Sequence, residues 1–141
     1  MFKEVLLAVD LNHESSWKKA LPVAIAYVRS SGGTLHLLNV IPDYGMAIVD
    51  QYFPEDYKKE LEEKAMAALE AFEKDHLPDD IQYGSIVAEG TVYDEIIEMA
   101  KEINADVIVV SSGHDGIKDY LIGHNASRVV RHAPCSVTVV R

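Results

Sequence analysis

The stretch ADVIVVSS, residues 105–112, decides the fold. It is apolar and rich in β-branched residues, without the polar alternation of a half-exposed strand, so both of its faces must be covered. That is the character of a central strand in a parallel sheet flanked by helices. KEVLLAVDL, residues 3–11, repeats it: Val5 to Val9 is apolar without interruption, and Asp10 ends the run. TLHLLNVI (34–41), ended by Pro42, IQYGSIVAE (81–89) and CSVTVVR (135–141) read as three further strands.

Helical periodicity fills the intervals. Trp17, Ala20, Leu21, Ala24, Ile25 and Val28 fall on one stripe of a helix with its cap near Ser15 or Ser16, kinked or restarted by Pro22 and stopped by Gly32 and Gly33. PDYGMAIVDQYF reads as a loop. From about Pro54 to Asp75, Tyr57, Leu61, Ala65, Ala68, Leu69 and Phe72 recur at three and four residues, with Glu and Lys interleaved on a solvated opposite face. Gly90 turns into a helix with Thr91 at its N-cap and Asp94 three residues on, which directs Ile96, Ile97, Ala100 and Ile103 inward. A short helix spans about Asn125 to His132, closed by Pro134.

Strict alternation of strand and helix predicts an α/β fold, a five-stranded parallel sheet with helices on both faces. The length of 141 residues and the 48% hydrophobic content fit one domain spanning 1–141. No run of about 18 apolar residues occurs, and Glu4 and Asp10 interrupt what a signal peptide would keep apolar, so the expectation is a soluble, cytoplasmic protein without a membrane segment. A formal net charge of -10 disfavours nucleic acid as a partner. The single cysteine, Cys135, excludes an intrachain disulfide and reads as a small hydrophobe in a strand.

In parallel sheets, ligands bind beyond the carboxyl ends of the strands, where strand order reverses. The rule selects Val9 to Leu11, Val40 to Pro42 and Ser111 to Gly116. The last segment opens GHDGIKDYLIGHNAS, residues 113–127, which is a phosphate cradle, a metal site or only a turn. Glycines free backbone N–H groups for an anion, and a helix starting near Gly123 to Asn125 offers orphan N–H groups and its positive dipole end. The segment is neither a P-loop nor GxGxxG. His114, Asp115 and His124 match no metal-ligand spacing, and His36 and His132 read as structural.

KEVLLAVDL, HLLNVI, VAEG, YDEIIEMAKEINADVIVVSS and LIGHNASRVVRHAPCSVTVVR together resemble the universal stress proteins over nearly the whole chain. The resemblance implies a Rossmann-like, adenine nucleotide alpha hydrolase-like fold, a homodimer, and in one subgroup ATP held by a Gly-xx-Gly-(nine residues)-Gly-Ser/Thr motif. Here six residues separate Gly116 from Gly123, and His124 stands where Ser or Thr is usual. The shorter loop is similar to that of small family members with a DITTYLLGSNA-like stretch, in which nucleotide binding is retained.

Carried onto this sequence, the resemblance implies that Asp10 accepts hydrogen bonds from the ribose or adenine edge. Val9 and Val40 would line the adenine pocket, and Val110 would pack on the base. Ser111, Ser112, Gly113 and Gly116 would approach the ribose and α-phosphate, while Gly123, His124, Asn125 and Ala126 would offer N–H groups to the outer phosphates. The implied ligand is ATP, with ADP or AMP as alternatives, and Mg2+ or Mn2+ only together with the nucleotide. No catalytic residue is assigned. Lys118 and Asp115 or Asp119 are the groups a slow ATPase would use, and a nucleotide-free adaptor is the remaining alternative. The C-terminal strand, read as an exposed apolar edge, is the expected homodimer contact, beside a further protein partner of unknown identity.

Overall fold

The computed structural model describes residues 2–42, 55–112 and 121–141. The five strands are β1 (Glu4–Val9), β2 (Thr34–Pro42), β3 (Gln82–Gly90), β4 (Val107–Ser111) and β5 (Ser136–Val140). The helices are α1 (Ala20–Ser31), α2 (Glu55–His76), α3 (Val92–Glu102) and α4 (Leu121–His132), with a 3-10 turn at Glu14–Ser16. The strands form one parallel sheet in the order β3-β2-β1-β4-β5. The PDYGMAIVDQYF loop lies outside the described residues.

Side-chain alternation sorts the core into two layers. Val5, Leu7 and Val9 of β1 and Val107 and Val109 of β4 pack with Ala24 and Val28 of α1 and Leu69 and Phe72 of α2. Leu6 and Ala8, with Ile108 and Val110, pack on the other face against Ile96 and Ala100 of α3 and Ala126 and Val129 of α4. All of β4 and Val5 to Val9 of β1 are buried, as their unbroken apolar runs require. The two outward crossovers put α1 and α2 on one face, and the return across the sheet puts α3 and α4 on the other, the consequence of a uniform right hand.

Several local expectations change. Ser15 and Ser16 do not cap α1. The helix starts at Ala20 after Lys19, which leaves Pro22 in the first turn, where a missing N–H breaks no intrahelical bond. Thr91 sits at the N-cap of α3 but its side chain makes no capping hydrogen bond. The apolar stripe of α2 meets the core only in its last turns: Leu69 and Phe72 are buried, whereas Tyr57 and Ala68 are exposed. Glu73, assigned by pattern to the solvated face, is instead 3% exposed. It accepts a hydrogen bond from the Ser85 hydroxyl of β3, and its Oε2 has no partner among the described residues.

Polar contacts pin the sheet at its amino end. Asp106 accepts from the Lys3 and Glu4 N–H groups at 3.0 and 2.8 Å, and these bonds hold its carboxyl below the usual range. His36 pairs with Glu4 at 2.8 Å, a structural role as expected. Gly32 ends α1 at φ 71°, its N–H bonded to the Val28 carbonyl at 2.8 Å. Cys135 precedes β5 half-buried, and burial pushes its thiol up, away from a reactive thiolate.

At Gly33 a methyl group would lie 1.9 Å from the Lys3 carbonyl oxygen, which the Thr34 N–H must also reach at 2.8 Å to start the β1–β2 ladder. Gly33→Ala is expected to destabilise by roughly 2–3 kcal/mol, read from urea unfolding. A second test uses pH. Burial raises the Glu95 carboxyl, and Asp94, Glu98 and Glu102 push the same way. A raised folded value means stability present below the unfolded pKa and lost as pH rises through the folded one. Glu95→Gln should therefore raise Tm at neutral pH, and the gain should vanish below about pH 4.

Candidate functional site

The chain leaves β1 toward α1 on one face of the sheet and β4 toward α4 on the other, so a crevice opens where the carboxyl ends of these neighbouring strands part. The paired register runs from Val5↔Val107 to Leu7↔Val109, and Val9 pairs with Asn39. Continuing both registers brings Asp10, Val40 and Ser112 to one level at the rim. These three come from distant parts of the sequence and meet only because β1 lies between β2 and β4.

Asp10 is 7% exposed, and its carboxylate is organised by the next few residues. Oδ1 accepts from the Asn12 N–H at 3.0 Å, an Asx turn, and Oδ2 lies 2.9 Å from His13 Nδ1. Ser16, fully buried, locks the main chain: its Oγ accepts from the Asp10 N–H at 2.9 Å and lies within donating distance of the Asp10 and His13 carbonyls at 2.9 and 2.7 Å. Thus Asp10 caps the β1–α1 loop, while each carboxylate oxygen keeps a second lone pair. Asn12 and His13 were not singled out by the sequence, and Ser16 was read only as a helix cap. The Asp-x-Asn-His spacing was the available signal, since an Asx turn needs an acceptor two residues before the N–H it holds.

Across the crevice, the Ser111 hydroxyl donates to the Ser15 carbonyl at 3.0 Å, which ties the end of β4 to the β1–α1 loop. The Ser112 N–H donates to the Val140 carbonyl at 2.9 Å, whereas its Oγ is buried with no hydrogen-bond partner among the described residues. A buried hydroxyl left unpaired is costly, by about 1–3 kcal/mol.

The other candidates divide. Val40 and Val110 share one core layer, but the Val9 side chain belongs to the opposite layer, so only its backbone is at the crevice. Gly113 and Gly116 lie outside the described residues, as do His114, Asp115, Lys118 and Asp119. The last helix begins at Leu121, about four residues earlier than its pattern suggested. Gly123 therefore lies at the third position of the helix, where the N–H has no intrahelical acceptor, and His124 at the fourth, where the i→i−4 ladder begins. The amides of Asn125 and Ala126 fall inside the ladder instead, and Ala126 packs its methyl into the core.

A parallel sheet with buried polar groups at its switch point defines the class of α/β proteins that take ligands at strand carboxyl ends. The chain belongs to the universal stress protein family, whose model matches residues 1–141. It is similar to Universal stress protein G of Shigella flexneri, 33% identical over 149 residues with both chains covered in full. Among solved structures it resembles hypothetical protein MJ0577, with a TM-score of 0.72, 25% identity and coverage of 99% and 96% of the two chains. A universal stress protein family protein from Arabidopsis thaliana with AMP bound has the same fold, at TM-score 0.64 and 20% identity over 98% and 90% of the chains.

Since Ser16 is the buried fastener of the loop, Ser16→Ala leaves the Asp10 N–H without its acceptor. The expected loss is about 1–3 kcal/mol in chemical denaturation, with weaker amide exchange protection at Asp10 and His13.

Proposed function

We propose that the protein is an adenine-nucleotide-binding regulatory protein that takes ATP in the crevice between β1 and β4. The observation that carries this reading is the orphaned buried hydroxyl of Ser112, level with the buried carboxylate of Asp10 at the switch point of a universal stress protein fold. Support comes also from the AMP bound to the Arabidopsis relative of the same fold. In this reading Asp10 accepts from the ribose or the adenine edge through its remaining lone pairs. Val40 and Val110 offer the base an apolar wall, and Ser111, Ser112, Gly113 and Gly116 flank the ribose and first phosphate. The first-turn N–H of α4 at Gly123 faces the outer phosphates with the positive end of the helix dipole, and His124 stands next to it. Asn125 and Ala126 shape that turn rather than bond the ligand.

Mg2+ or Mn2+ would be held chiefly by phosphate oxygens and water. Among the described residues no cluster of three or more His, Cys, Asp and Glu is placed to chelate an ion. The proposed assembly is a homodimer of single-domain chains in the cytoplasm, joined through β5. Among the described residues that strand pairs only with β4, and Val139 is 38% exposed on it. An apolar edge strand is normally covered, and a symmetric pair covers two at once. Among the described residues no helix is long and apolar enough to cross a membrane.

The decisive measurement denatures freshly purified protein and identifies the released nucleotide by chromatography, followed by thermal shift with added ATP and ADP. Binding to the folded state alone stabilises by about 2.7 kcal/mol at a ligand concentration of 100 Kd, which moves Tm upward by several degrees. Asp10→Ala and Ser112→Val should each lose most of that shift. No released nucleotide and no shift with either ligand would instead make the protein a nucleotide-free adaptor.

A further inference from the structure

Charge is distributed along this chain with one sharp break. All 23 acidic residues and ten of the 13 Lys and Arg precede residue 121, which leaves the last 21 residues at +3 and the rest at −13, together the overall -10. The break falls at the start of α4, whose sequence LIGHNASRVVRH holds two arginines and no carboxylate. Ser127, Arg128, Arg131 and His132, spaced three and four apart, share its outer face and are all exposed. With Tyr93 of α3 they line a cleft of about 260 Å³ between the two helices.

Three features of this cleft belong to a receptor for negative charge. The guanidinium carbon of Arg128 stands 4.9 Å from the centre of the Tyr93 ring, a stacking contact that holds the group while leaving its edge N–H donors free. Arg128 lies three residues from Arg131 and four from His132, so protonated neighbours repel one another, a cost that an anion between them would reverse. The helix dipole accounts for cations in the final turn, at Arg131 and His132, but not for Arg128 a turn earlier. Among the described residues, neither arginine forms an ion pair with a carboxylate, whereas Arg29 is held by Asp80 through two bonds at 2.9 and 3.0 Å.

We propose that the α3–α4 cleft is a second binding site, specific for a phosphoryl oxyanion, held by Arg128 and Arg131 with the Ser127 hydroxyl and His132 as further donors. The cleft has room for a phosphoryl group, and the planar fork of Arg matches two of its oxygens. The site is built from the outer faces of the helices, and the nucleotide crevice from the strand ends, so the two readings stand or fall separately.

The test follows the arginine side-chain Nε–H signals of the full chain by NMR. Inorganic phosphate in one arm and glycerol phosphate in the other are titrated at constant ionic strength against chloride. Saturating shifts at Arg128 and Arg131, with Arg29 unmoved, are expected in at least one arm. Tighter binding of glycerol phosphate identifies an organic phosphate ester as the occupant, and equal binding identifies free phosphate. Arg131→Gln and Arg128→Gln, both at exposed positions, should each weaken binding about tenfold or more with the unfolding midpoint kept. Shifts that stay linear with concentration, that chloride reproduces, or that Arg29 and Arg141 share equally overturn the proposal.

Discussion

The structure depends on the burial of β1 and β4 side by side, each covered on both faces. Five consecutive buried residues in each strand demand two apolar layers, and only helices on either side of a parallel sheet supply them. Once these strands are neighbours, the outward crossovers from β1 and the return crossover from β3 must leave on opposite faces. The crevice at their carboxyl ends is therefore a by-product of core formation.

Polar chemistry at the rim is then inexpensive to hold. The main chain turns away from the sheet immediately after Val9 and Ser111, so it leaves N–H and C=O groups that no ladder can satisfy. Ser16 and the Asx turn at Asp10 satisfy one set, and the Ser111 contact with Ser15 joins the two loops. The Ser112 N–H is met by the Val140 carbonyl, and its buried Oγ is left without a partner among the described residues.

Much of the architecture was legible because it follows from periods of two and 3.6 residues applied to apolar runs. Where the sequence misled, a tertiary contact overrode a local pattern. The stripe from Tyr57 to Phe72 is regular, yet β3 and β2 cover only the last turns of α2, so Tyr57 remains at the surface and Glu73 is drawn under beside Ser85. Ser15 and Ser16 look like helix caps, but the loop recruits them to hold Asp10 and Ser111. At the site, Asp10 was legible as the polar end of an apolar run. The roles of His13 and Ser16 were not, because nothing in a linear pattern says which side chains a turn will fold back upon.

The sequence by itself determined the alternation of elements, the parallel sheet and the end of the sheet at which a crevice opens, since burial on both faces is written into uninterrupted apolar strands. Only the tertiary structure decided which side chains share a layer. It separates Val9 from Val40 and Val110, brings Ser112 level with Asp10, and gathers Arg128 and Arg131 beside Tyr93. The physical reason is that strand order and helix packing are set by contacts between residues a hundred positions apart, and a local pattern carries no record of its distant partner.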